Sequence, residues 1–289
     1  MSDLNSNSTH QLAPGSVESP SLILDIKSLN KKFGGLWAVK DFNLSIDKGE
    51  LVGLIGPNGA GKTTVFNLIT GIYAIPSGMI KFNNTSLVGL PTHQITQLGI
   101  GRTFQNIRTF PNLTVLDNVR IAYHPHAGYG IMDAVFRTGR YNEREKVLTE
   151  RAQEFLSVFN LQDRQGEIAK NLPYGEQRRL EIARALAVEP IMLLLDEPAA
   201  GMNPGEVVAL MNLIHFIRER FNLTILLIEH QMRVVMNICE HITVMDFGEV
   251  IAHGNPEEIQ NNPKVIEAYL GRGAKALSEK LSGKRDYVT

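Results

Sequence analysis

The chain is short of several things, and each shortage removes a class of answer. Among its 289 residues it has one cysteine, Cys239, so no disulfide can form within it. It has no apolar run of the roughly 18–20 residues that cross a bilayer; "IMLLL" and "TILLI" have the length of buried strands. The opening stretch "MSDLNSNSTHQLAPGSVESP" contains no Lys or Arg and no apolar segment, which argues against a secretory signal. Net charge is only -1, so no bulk attraction to nucleic acid or anionic lipid is expected. A cytosolic protein with no nucleic-acid partner is the consistent expectation. Cys239, set among Val235, Ile238 and His241, reads as a small core residue.

What is present has a clear order. Residues 1–20, rich in Ser and Asn, read as a disordered lead. Short strands follow in "LILDIKSL", "FNLSID", "ELVGLIG" and "GMIKFNN", with a helix expected from about Gly61 to Thr70. From about Gln105 to Asp163 apolar residues recur at three-to-four spacing, as in "VLDNVRIAYH" and "NEREKVLTERAQEFLSVFNL". Strands return as "IMLLLDE", "TILLIEH" and "HITVMDFGEVIA", the first two almost wholly apolar, as parallel strands covered on both faces are. The pattern predicts an α/β nucleotide-binding domain over 21–271 with a helical insertion at about 106–165. The tail, 272–289, carries five basic and two acidic residues and reads as a solvated segment.

"GPNGAGKTT", from Gly56 through Pro57, Asn58, Gly59, Ala60, Gly61, Lys62 and Thr63 to Thr64, fits G-x-x-x-x-G-K-[ST] between a strand and a helix. Its glycines let successive N–H groups turn inward as an anion nest, and the following helix adds its positive dipole end. In such a loop Lys62 reaches the β- and γ-phosphates and the Thr63 hydroxyl is placed for Mg²⁺. Asp196 ends the apolar run of "IMLLLDEP", where ligands gather in open α/β sheets. It is a second candidate for Mg²⁺, and adjacent Glu197 can polarise an attacking water. His230, at the end of "TILLIEHQM", is a candidate to touch the terminal phosphate and orient Glu197. His124 and His126 in "YHPHAGYG" have no third ligand nearby and read as a polar loop.

Together these motifs resemble the ATP-binding subunit of ABC transporters over roughly Leu22 to Leu270. The resemblance implies a P-loop ATPase core with a mainly parallel sheet, an antiparallel β subdomain and an inserted α-helical subdomain, with ATP and Mg²⁺ as cofactors. It implies that Gln105 in "GRTFQNIRTF" is the glutamine that reaches the metal and attacking-water region, and that Phe33 in "NKKFGGLWAVKDFNL" stacks on adenine. "LPYGE", Leu172 to Glu176, resembles the signature motif that serves a nucleotide held by a facing subunit, which makes Tyr174, Gly175 and Glu176 binding residues in trans. Pro173 stands where a serine is usual, Tyr174 where a small glycine is, Glu176 where glutamine is common, and Asn203 where the family places aspartate.

A finer resemblance, through "YGEQRRLEIARAL", "DEPAAGMNP" and "GNPEEIQNNPKVIEAYLG", is to LivG-type ATPases of branched-chain amino acid uptake. It implies a homodimer or a heterodimer with a sister ATPase, permease subunits docked through the region after Gln105, and indirect service to a periplasmic binding protein. It also implies a peripheral place on the cytoplasmic face of the inner membrane. Urea or amide uptake, lipopolysaccharide export, and a non-transport ATPase of translation or DNA repair remain the alternatives. The last class commonly carries paired cassettes, whereas this chain has one phosphate loop.

Overall fold

The computed structural model describes residues 22–270; the N-terminal lead and the tail lie outside them. The chain opens with a long hairpin, β1 (Leu22–Phe33) and β2 (Leu36–Asp47), then β3 (Leu51–Ile55) and helix α1 (Lys62–Ile69). Next come β4 (Ser77–Phe82), β5 (Thr85–Ser86), α2 (Thr92–Gln97) and a three-residue strand, β6 (Ile100–Arg102). The helical segment holds α3 (Val115–Tyr123), α4 (Ile131–Phe136), α5 (Gly139–Val158) and α6 (Tyr174–Leu186). The second half alternates β7 (Met192–Asp196), α7 (Pro204–Phe221), β8 (Thr224–Ile228), α8 (Met232–Ile238), β9 (His241–Asp246), β10 (Glu249–Gly254), α9 (Pro256–Gln260) and α10 (Pro263–Leu270).

Two sheets result. The larger has the order β10-β9-β3-β8-β7-β6 and is parallel except for the antiparallel β10 edge. The smaller is antiparallel, in the order β2-β1-β4-β5. The central strands are apolar at nearly every position because both faces are covered, and alternation along each strand sorts their side chains. Leu51, Ile55, Leu193, Leu195, Ile225 and Leu227 join a core with helices α3, α5, α6, α7 and α8. Val52, Leu54, Met192, Leu194, Leu226 and Ile228 join another with α1 and the antiparallel sheet. Each such Leu or Ile removed from water contributes about 1.5–3 kcal/mol.

Three expectations change. "HITVMDFGEVIA", read as one strand, is the hairpin β9–β10: Phe247 and Gly248 both take positive φ, 44° and 85°, and reverse the chain. The short strand β6 carried no pattern of its own, yet it pairs with β7 as Ile100↔Met192 and Arg102↔Leu194. The first two strands run on to Phe33 and back from Leu36, well beyond "LILDIKSL" and "FNLSID". Among the described residues no helix is long and apolar enough to cross a membrane.

Candidate functional site

The carboxyl ends of β3, β7 and β8 lie side by side, because β3 pairs with β8 and β8 with β7. That topology brings together motifs up to 174 positions apart in the sequence, from Gly56 to His230. After β3 the chain turns through Gly56, Gly59 and Gly61, with φ of 149°, 83° and 105°. Glycine is required at two of them for space as well as conformation: a Cβ on Gly56 would stand 2.0 Å from the Met245 carbonyl, and one on Gly61 2.1 Å from that of Ala38. The loop closes through Ala60 N–H donating to Pro57 O, and is held from outside by Gly248 N–H donating to Ala60 O. Lys62 opens α1 and curls back so that its ammonium donates to the carbonyls of Gly56 (2.7 Å) and Pro57 (3.0 Å). Burial pulls its pKa below the usual lysine range, against the opposing charges of Glu197 and Asp196. Asn58, Gly59 and Thr63 are exposed at the mouth, and Thr64 is half-buried behind them.

Asp196 is the last residue of β7 and is buried. Its Oδ2 accepts from Arg102 Nη2 at 3.0 Å, while its Oδ1 is buried with no partner. Burial pushes the carboxyl above its ordinary range, and the Arg102 charge opposes that. Arg102 is itself fixed by Asn67 Oδ1 (2.7 Å) and Thr70 Oγ1 (3.0 Å) at the far end of α1.

Glu197 is where three expected residues meet. Gln105 Nε2 donates to its Oε2 at 3.0 Å, and His230 Nδ1 lies 3.5 Å from the same oxygen. The Glu197 backbone sits at φ 47°, a region a non-glycine residue enters only when its surroundings force it, and its N–H is held by Ile228 O of the adjacent strand. Beside it Glu229 is fully buried and accepts from Ala199 N–H (2.7 Å) and His230 N–H (3.2 Å), which fixes the turn that delivers His230.

The "LPYGE" stretch leads into α6. Pro173 is its N-cap and provides no side-chain bond; its carbonyl accepts from Glu176 and Gln177. Tyr174 and Gly175 therefore present first-turn N–H groups without an intrahelical acceptor. The Tyr174 ring covers Gly201, where an added Cβ would come within 3.3 Å of it. Glu176 turns to Arg164 and Arg179 at 3.5 and 3.6 Å. Asn203 caps α7 in a reciprocal pair with Glu206.

Phe33 stands apart from this group. It is half-exposed near the hairpin turn, edge-on to Tyr73 at 5.2 Å with Lys31 above it. His124 and His126 take separate partners, the Tyr129 hydroxyl and the Val188 carbonyl. The residues that sequence reasoning missed are Arg102, Glu229 and the Arg178–Glu181 pair. Each lay inside a quoted stretch, Arg102 in "GRTFQNIRTF", Glu229 in "TILLIEHQM" and Arg178 and Glu181 in "YGEQRRLEIARAL", but none was given a role there.

The donor set suits a magnesium nucleotide. The loop offers backbone N–H groups, a lysine ammonium and a helix start to phosphates, and the orphaned Asp196 Oδ1 and the Thr63 hydroxyl are hard oxygen donors of the kind Mg²⁺ takes. Among the described residues no cluster of three His, Cys, Asp or Glu side chains forms a metal cage.

Comparison with known proteins gives concordant results. A sequence profile described as "ABC transporter" matches residues 39–200, and one described as "Branched-chain amino acid ATP-binding cassette transporter" matches 249–275. The chain is 45% identical over 249 residues to the "High-affinity branched-chain amino acid transport ATP-binding protein BraF" of Pseudomonas aeruginosa, spanning 86% of this chain and 98% of that one. It matches LivG of Escherichia coli K12, of the same description, to the same extent. It is 36% identical to the lipopolysaccharide export ATP-binding protein LptB of Escherichia coli K12, over 86% of this chain and 97% of that one. The crystal structure of the ADP conformation of MJ1267, an ATP-binding cassette of an ABC transporter, superposes with a TM-score of 0.74 at 30% identity, covering 86% and 99% of the two chains. A dimeric post-hydrolysis structure of the cassette MJ0796, bound to ADP and Pi, gives 0.69 at 28%, covering 81% and 99%.

Proposed function

The chain belongs to the ABC transporter family of ATP-binding, ATP-hydrolysing subunits, and from that premise we propose that it energises an importer of branched-chain or other neutral amino acids. The observation that carries the hydrolytic reading is the meeting of Gln105 and His230 on one oxygen of Glu197, beside the loop of Lys62. The amino-acid reading is supported by the 45% relatives and by the match at 249–275, where the export relative stands at 36%.

Each residue then has a task. The N–H groups from Gly56 to Thr64 and the Lys62 ammonium grip the phosphates, and Lys62 exchanges its carbonyl partners for phosphate oxygens. Thr63, Asp196 Oδ1 and Gln105 would hold Mg²⁺, and the ion would neutralise charge on the terminal phosphates. Glu197 accepts the proton of the attacking water, and His230 and Gln105 hold that carboxylate in place. Phe33 remains the candidate for the adenine ring.

The open N-terminus of α6, at Tyr174 and Gly175, is offered to the nucleotide of a facing ATPase, this chain again or a sister. The MJ0796 relative was itself solved as a dimer. Glu176, paired with Arg164 and Arg179, supports that helix start from the side. The segment after Gln105 meets transmembrane permeases, which hold the chain peripherally on the cytoplasmic membrane face and link it indirectly to a periplasmic binding protein.

The test is uptake of radiolabelled leucine by cells that carry the chain with its permeases, against cells that carry Glu197→Gln. Loss of leucine uptake with the variant is expected. Uptake unaffected by Glu197→Gln would sink the motor assignment, and leucine uptake absent in both, with another solute carried, would sink the substrate.

A further inference from the structure

Helix α6 carries three arginines within seven residues, Arg178, Arg179 and Arg184, and each bonds a backbone carbonyl of another segment. Arg178 is fully buried and Glu181 nearly so, and the two are bonded at 2.7 Å across one turn. A pair needed only to satisfy itself would stop there. Instead it reaches 73 to 77 positions back to the segment that carries Gln105. Arg178 donates from Nη1 to Phe104 O (2.7 Å) and from Nη2 to Gln105 O (2.8 Å). Glu181 Oε1 accepts from the N–H groups of Phe104 (3.2 Å) and Arg108 (3.1 Å). Arg184 adds a bond to Arg108 O, and the Arg108 guanidinium lies 4.2 Å over the Phe104 ring.

The segment between β6 and α3 has no helix or strand of its own. Its shape from Phe104 to Arg108 is therefore set by these bonds to α6. They hold the Gln105 backbone and leave its side chain to reach Glu197. The start of the same helix is offered across to a partner's nucleotide, and Arg178 Nη2 also donates to the Tyr174 hydroxyl at 3.2 Å.

We propose that Arg178 and Glu181 are positioning residues for hydrolysis, a buried strap that holds Gln105 in reach of Glu197 and makes one rigid body of the α6 N-terminus and the chain's own Gln105. The proposal rests on the role given to Gln105 above. A guanidinium suits the task because its planar fork serves two carbonyls and a carboxylate together, which the point charge of lysine cannot do. Replacing both partners with apolar residues of similar volume leaves no uncompensated buried charge, so the fold is expected to survive.

The test is a mutant cycle in the full chain, with ATP turnover and thermal unfolding read on every member. The paired variant Arg178→Met/Glu181→Met is expected to keep its melting temperature within a few degrees, lose about tenfold in kcat, and hold KM for ATP within about twofold. Gln105→Ala is expected to lose a similar factor, and the three substitutions together no more than Gln105→Ala alone, because residues that act through one another are not additive. Arg178→Lys is expected to fall between wild type and the pair. A triple variant whose loss is the product of the two separate losses, or a folded pair variant with wild-type kcat, overturns the proposal and leaves the reading of Gln105 standing. Gln105→Ala with wild-type turnover overturns both. Should the pair variant fail to fold, the same cycle is run with Arg178→Lys, where additivity with Gln105→Ala is again the overturning result.

Discussion

Arg102→Met tests the electrostatics beneath the phosphate site most directly. The Arg102 and Asp196 side chains are 7% and 3% exposed, so removing the guanidinium leaves a buried carboxylate without its hydrogen-bonded partner. Breaking a buried pair from one side typically costs about 3–5 kcal/mol. At about 2–4 °C per kcal/mol for a chain of this size, that is roughly 6–20 °C in melting temperature. Asp196 has one escape, which is to protonate. Its pKa in the folded protein is already raised by burial and rises further without Arg102. A folded-state carboxyl pKa above the unfolded value means that the folded variant holds a proton the unfolded chain has lost. Stability therefore falls as pH rises through that window, by up to about 1.36 kcal/mol per unit. The deficit against wild type should be smaller at pH 5.5 than at pH 8, measured by thermal unfolding in EDTA without nucleotide. Glu181 and Glu229, also raised by burial, titrate in both proteins and cancel in the difference. Adding Asp196→Asn should recover much of the loss at pH 8. A deficit that does not change with pH, or a double variant no more stable than Arg102→Met alone, would refute the argument.

Other expectations follow from the same geometry. Glu197→Gln should lower turnover by roughly 10²–10⁴-fold and leave ATP binding intact, so that ATP drives a dimer on size exclusion; a variant monomeric at saturating ATP would count against the shared site. Pro173→Ser should leave the fold intact and melting no lower than wild type, since a proline N-cap without a side-chain bond is replaced by a residue that can cap. The added hydroxyl makes available about 1.5–3 kcal/mol of hydrogen bonding to a charged phosphate, so turnover should shift; constant turnover would show that the position does not face phosphate. Cys239 is buried, and burial pushes its thiol well up. A thiol reagent at pH 7.5 should find no reactive sulfur in the native chain and one after unfolding in guanidinium, whereas rapid native labelling would contradict its place in the core.

The parts of the site legible in the sequence are those whose meaning is local. The phosphate loop declares itself because strand, glycines, lysine and helix are consecutive. Asp196, Glu197 and His230 stand out because polar residues end apolar runs, and a buried parallel strand puts such residues at its carboxyl end. The misreadings are of another kind. "MDFGEV" contains no Asn-Gly or proline to announce a reversal, so two strands looked like one until Phe247 adopted positive φ. Strand β6 is too short to show alternation and exists because β7 offers it a free edge.

Arg102 and Arg178 lie further still from what spacing can disclose, since a charged residue in an unpaired sequence reads as solvated surface. Their partners stand 94 and 73–74 positions away, and only the parallel packing of β6 on β7 and of α6 beneath the Gln105 segment brings them together. That explains why the candidate site divides into halves with different visibility. The groups that would touch a nucleotide are constrained by chemistry that repeats wherever phosphate is bound. The groups that hold those in place are constrained only by what this fold happens to set beside them. A reading by motif therefore finds the groups that would touch the nucleotide and passes over those that hold them, and substitutions there should alter turnover while every motif stays intact.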